Sequence, residues 1–135
     1  MSSRRALQIA VAVLGLVPVG AGLAGAWLGP AMVGVAGAAS TPSLDSHMRY
    51  LSGLLLGIGL AFWSLIPRIE ARGGAFRLLT AIVFVGGLAR LSEVFREGLP
   101  PLPMLFGLGM ELLVTPLLCF WQARVARLGA GMPRA

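Results

Sequence analysis

The chain has 135 residues, of which 57% are hydrophobic and only 12% charged, with 19 glycines and a mean hydropathy of +0.87. A soluble domain of this size carries about 25% charged residues because water must wet its surface, so this composition excludes an ordinary soluble domain and points to a surface meant for lipid. The net charge of +6 comes from arginine alone, and these arginines flank apolar segments instead of interleaving with aromatics, which excludes a nucleic-acid-binding stripe.

The first apolar stretch runs from about Leu7 to Gly29, and the residues before it include Arg4 and Arg5. Ser3-Arg4-Arg5-Ala6-Leu7 is similar to a twin-arginine export signal, and Ala36-Gly37-Ala38 to a signal-peptidase site. The apolar stretch is longer than a signal core of about 7–15 residues, so a retained helix is expected. The second stretch covers about Met48–Ile66, the third Leu78–Phe95 and the fourth Leu102–Trp121. About 20 helical residues cross a hydrocarbon core of ~30 Å, and none of the stretches alternates as a barrel strand would. The expected fold is all-α: a single four-transmembrane-helix bundle over residues 1–135.

Orientation follows from the arginines. Arg4, Arg5, Arg68, Arg72, Arg77, Arg124, Arg127 and Arg134 fall on one side of this topology, opposed only by Glu70. The other side holds Arg49, Arg90 and Arg96 against Asp45, Glu93, Glu97 and Glu111. The positive-inside rule then places both termini in the cytoplasm. The absence of lysine and the Ala/Gly/Leu bias resemble a GC-rich bacterial genome, so the expected location is the bacterial inner membrane.

Each stretch has a face of small residues, which membrane helices use for close packing. These are Ala21, Gly25 and Gly29 in the first helix, and Gly53, Gly57 and Ala61 in the second, in line with Asp45 and Arg49. Gly86 and Gly87 lie one turn below Arg90, and Gly107, Glu111, Thr115 and Cys119 form a stripe in the fourth helix. Pro18 and Pro116 each remove a backbone donor and are expected to bend their helices. Pro116 deprives the Leu112 carbonyl of its usual partner, with Thr115 or water to compensate.

Arg90 and Glu111 are the two ionisable residues deepest in apolar stretches. A charge at that depth costs about 2.5–3.5 kcal/mol even on insertion scales, so each needs a partner or a task. The rise of ~1.5 Å per residue puts Arg90 roughly 7–8 Å, and Glu111 roughly 10–14 Å, below the outer face, within reach of each other. Arg49 can snorkel outward or pair with Asp45 four residues earlier. Glu93, Glu97, Arg96 and His47 ring the mouth. The expected site is thus a nearly neutral polar cluster of Asp45, His47, Arg49, Arg90, Glu93 and Glu111 near the periplasmic face, either structural or ligand-binding.

Other chemistry finds little support. His47 is the only histidine, so paired-histidine haem ligation within the chain is impossible, and Glu93 and Glu97 lack a close metal-ligand motif. No metal or other cofactor is therefore expected. Cys119 is the single cysteine, which excludes an internal disulfide or a thiolate cluster. Trp27, Trp63 and Trp121 fall near helix ends, as interfacial anchors do. Nucleophile elbow, P-loop and dinucleotide fingerprints are all missing, which argues against an enzyme.

The run Leu44-Asp45-Ser46-His47-Met48-Arg49-Tyr50-Leu51-Ser52-Gly53 with Gly57-Ile58-Gly59 resembles the centre of a bacterial family known as domain of unknown function 4345. Gly87-Leu88-Ala89-Arg90-Leu91-Ser92, then Glu97-Gly98-Leu99-Pro100, and Glu111-Leu112 extend the resemblance over roughly residues 44–125. The resemblance implies a four-helix inner-membrane protein of no assigned activity, in which Asp45, Arg49, Arg90 and Glu111 belong together. Three functional readings follow. The first is a non-catalytic accessory subunit of a membrane complex, or a small homo-oligomer. The second is a binder of a lipophilic small molecule, or an enzyme acting on one, through Arg49, Arg90 and Glu111. The third is a small proton-coupled exporter using Glu111.

Overall fold

The computed structural model describes residues 2–35 and 37–130, apart from the side chains of Ala38 and Ala130. Among the described residues there is no strand. Six α-helices follow in order among the described residues: α1 Ser3–Leu14, α2 Leu16–Leu28, α3 Pro42–Leu65, α4 Gly73–Glu97, α5 Leu102–Gly109 and α6 Thr115–Ala130. Short 3₁₀ turns and one π turn, Met110–Val114, extend them into four long spans: Ser3–Val33, Pro42–Arg68, Gly73–Glu97 and Leu102–Gly129. Each is long and apolar enough to cross a membrane.

The helices outrun the apolar stretches that announce them. The second begins at Pro42 instead of Met48, the third covers Gly73–Glu97, and the fourth continues to Ala130. Hydropathy stops where polar residues begin, whereas a helix stops where its caps lie. Thr41 caps α3, its Oγ1 accepting from the Leu44 amide at 3.2 Å, with Pro42 in the first turn. That start places Asp45 in the first turn of the helix and not in the connection before it.

The chain forms two compact units. One is Ile9–Ile66; the other joins the residues up to Gln8 with those from Pro67 onward. In the first unit the helix path breaks at Gly15, three residues before Pro18, which has no N–H to offer the Leu14 carbonyl. Packing of α2 on α3 rests on backbone approach: a methyl at Gly22 would lie 2.5 Å from the Leu56 nitrogen and 2.8 Å from the Ser52 carbonyl oxygen. At Gly25 it would meet the Ser52 side chain, and at Gly59 the Val19 nitrogen at 3.1 Å. Trp63 closes the seam, lying over Gly15 and donating from Nε1 to the Ala12 carbonyl at 3.2 Å. Its indole therefore packs helix on helix, a task beyond interfacial anchoring.

The seam on α3 is Arg49, Ser52, Leu56, Gly59 and Trp63, and not the expected Gly53, Gly57 and Ala61. Gly53 and Gly57 are exposed, with open space where a side chain would go. Steps of four residues advance 40° around a helix at each repeat and drift off one face. Alternating steps of three and four hold the face, as in coiled coils. On the first helix Gly25 and Gly29 are buried as expected, with Gly22 and Gly15 completing the row.

In the second unit α4 packs on the π turn and α6. Leu7, Ile69, Phe76 and Gln122 are its most completely buried side chains. Hydrogen bonds that hold one end together include Arg4 Nε to Glu70 Oε2 at 2.8 Å, Arg4 Nη2 to the Pro67 carbonyl at 3.1 Å, Trp121 Nε1 to Ser3 Oγ at 3.0 Å, and Gln122 Nε2 to the Ile69 carbonyl at 2.8 Å. The N-terminal turn, the 66–72 connection and the end of α6 thus share one end of this unit, which is where the arginines concentrate.

Candidate functional site: two arginine ion pairs

In the first unit the sequence sets Asp45 and Arg49 one turn apart on α3, so their side chains meet. Arg49 Nε donates to Asp45 Oδ2 at 2.8 Å. Arg49 Nη1 reaches across to α2, donating to the carbonyls of Ala26 at 2.9 Å and Trp27 at 2.7 Å. The last carbonyls of a helix have no partner within it and carry the negative end of its dipole, so a cation there is doubly favoured. Asp45, in the first turn of α3, meets the positive end of that helix. Gly29 makes the junction possible. Its φ of 59° is left-handed, and a methyl there would strike Asp45 Oδ1 and lie 3.1 Å from Arg49 Nη2.

In the second unit Arg90 on α4 faces Glu111 in the π turn. Nε donates to Oε2 and Nη2 to Oε1, both at 3.1 Å, so the fork grips the carboxylate with two parallel bonds. Nη1 rests on the Met104 thioether at 3.2 Å, a weak acceptor. The Arg90 side chain is 35% exposed and that of Glu111 19%. Gly87, one turn before Arg90, admits the approach: a methyl there would sit 2.9 Å from Glu111 Cβ and 2.7 Å from Leu112 Cδ2. The π turn answers Pro116. Thr115 donates from both its amide and, at 2.8 Å, its hydroxyl to the Met110 carbonyl five residues earlier. The compensation expected at Leu112 is thus directed at Met110, and the helix widens where Glu111 leaves it.

The remaining expected residues are less engaged. His47 is exposed on α3. Glu93 and Glu97, also exposed, border with Arg90, Val94, Leu99 and Met104 a recess of about 270 Å³. Among the described residues no three His, Cys, Asp or Glu side chains converge to hold a metal ion. Of the residues expected to form one polar cluster, the structure pairs Asp45 with Arg49 in the first unit and Arg90 with Glu111 in the second. Chemically each is a neutralised cross-link, and both carboxylate oxygens of Glu111 are taken.

A family model described as Domain of unknown function (DUF4345) matches residues 6–122, most of the chain. The chain belongs to this family. No curated protein and no solved structure matches it. The DUF4345 match takes in both ion pairs and the glycines beside them, Gly29 and Gly87. No function is attached to DUF4345, so geometry alone speaks to what these residues do.

Two features of the site leave no mark in the sequence. The acceptors Ala26 and Trp27 are backbone carbonyls, which no side-chain pattern announces. Met104 carries no polar signal. Gln122, 1% exposed, does leave a trace: it extends the stripe of Glu111, Thr115 and Cys119 by one further turn. A polar residue continuing an inward stripe is a candidate for burial.

Proposed function

We propose that this protein is a non-catalytic integral membrane protein of the bacterial inner membrane, with both termini cytoplasmic, serving as an accessory subunit of a membrane complex or as a small homo-oligomer. The observation that carries this reading is the two-pronged Arg90–Glu111 pair. A deep charge in a membrane helix demands either a task or a partner, and here each charge is the other's partner. Neither group is left over as an acid, a base or a nucleophile. The arginine-rich end of the second unit supports cytoplasmic termini. Two experiments test the reading. C-terminal reporter fusions are expected to report a cytoplasmic end. Purification in mild detergent with mass spectrometry is expected to yield a co-purifying membrane protein or a homo-oligomer; a strictly monomeric, partnerless protein would contradict it.

A second reading, a site for a lipophilic small molecule, draws on the recess beside Arg90 and Met104. Arg49 does not join it in one unit, and Arg90 already holds Glu111. The proton-coupled exporter reading loses its free acid to the same bond.

A further inference from the structure

The end of the second unit that gathers the arginines also carries an open recess of about 560 Å³, bounded by Ser3, Phe120, Trp121, Arg124 and Leu128. Phe120, Arg124 and Leu128 are successive turn neighbours on α6, and all three border the recess. Phe120 and Leu128 are exposed, at 73% and 59%. Ser3 stands opposite, its Oγ accepting from Trp121 Nε1 at 3.0 Å. A hydroxyl that accepts still has its own hydrogen to donate.

Of the described arginines at this end, Arg124 is the one that borders the recess. Arg4 is committed to Glu70 and the Pro67 carbonyl, and Arg127 Nε turns back onto the Ala123 carbonyl of its own helix. Arg124 is exposed and has no hydrogen bond or ion pair among the described residues. Seven described arginines lie at this end (Arg4, Arg5, Arg68, Arg72, Arg77, Arg124 and Arg127), with only Glu70 against them. A free planar fork, a hydroxyl donor and an excess of positive charge match a phosphodiester. Phe120 and Trp121 lie one turn nearer the centre of the span, where the attached hydrocarbon would run.

We propose that this recess binds an anionic phospholipid of the cytoplasmic leaflet. Arg124 and the Ser3 hydroxyl hold its phosphate, and Phe120 and Trp121 flank the start of its acyl chains. Basic pockets at the cytoplasmic ends of membrane helices take such headgroups, and the surface potential of an anionic leaflet strengthens them. The proposal rests on the membrane placement given above, and its test is separable from it.

Full-length protein extracted in mild detergent and stripped of lipid is titrated with phosphatidylglycerol or phosphatidylcholine and read by native mass spectrometry. Phosphatidylglycerol is expected to be retained about fivefold better, the worth of one arginine at an anionic surface. Arg124→Gln is expected to remove that preference, while Arg127→Gln, which loses the same charge, keeps it. Equal retention of the two lipids, or equal loss in both variants, would overturn the proposal, the latter by reducing the effect to net charge. Displacement of the lipid by inorganic phosphate at matched concentration would also overturn it, since the phosphate alone would then suffice. Recovery of the protein in the soluble fraction without detergent would refute the membrane placement instead.

Discussion

Arg49 in the first unit and Arg90 in the second are both arginines in membrane-length helices, and they are satisfied in different ways. Arg49 takes its counter-charge from Asp45 on its own helix and directs the rest of its fork at two carbonyls of α2. Arg90 takes its counter-charge from a carboxylate far along the chain, on a different helix. The first arrangement is redundant: either charge keeps other support when its partner is lost, Arg49 from carbonyls and Asp45 from the start of α3. The second is mutual, because Arg90 and Glu111 are each other's ion-pair partner and loss of either leaves the other's charge unpaired within a long apolar helix. Such mutual pairs hold helices in register, whereas an arginine on carbonyls ties down a helix end.

This contrast orders the expected effects of substitution. Glu111→Leu or Arg90→Leu is expected to cost the most, about 3 kcal/mol, because an uncompensated charge remains within a span. Thermal unfolding in detergent measures it, and a loss no larger than that at Arg49 would erase the distinction between the sites. Gly29→Ala is expected to cost about 1–2 kcal/mol, from the left-handed backbone and the collision with Asp45. Arg49→Lys, which keeps the charge but loses the fork, is expected to cost about 1 kcal/mol, chiefly by loosening the end of α2. Protease sensitivity at the 29–41 connection reports that loosening. The smallest effect is expected at Gly53→Ala and Gly57→Ala, within about 0.5 kcal/mol of zero, since both face open space. A large loss there would restore the face suggested by four-residue spacing and displace the seam seen in the structure.

Much of this was legible in the residues themselves. Length and apolarity locate four helices, because the backbone in lipid has no other way to satisfy its hydrogen bonds over 20 residues. Asp45 with Arg49 is legible because a helix brings fourth neighbours together, whatever the tertiary structure. Arg90 with Glu111 is legible because two costly charges at similar depth have few other remedies. The seam of the first unit lies one position away from the glycines that suggest it, since Gly53 and Gly57 are conspicuous in sequence while Ser52 and Leu56 are not. Helix ends are poorly legible: the start of α3 lies six residues before the apolar stretch, as capping by Thr41 carries no hydropathy signal, and the end of α6 lies nine residues beyond it. The π turn is half legible. Thr115-Pro116 announces a disturbed hydrogen bond, but not that Thr115 donates to the Met110 carbonyl five residues earlier.

The central claim, that Arg90 and Glu111 exist for each other, is tested most directly by a double-mutant cycle. The variants Arg90→Leu, Glu111→Leu and the double substitution are compared with the parent protein by reversible unfolding in mixed micelles. Strong coupling is expected: the double variant loses less than either single one, because no charge is left stranded. Additive losses would contradict the account and assign the two residues separate tasks.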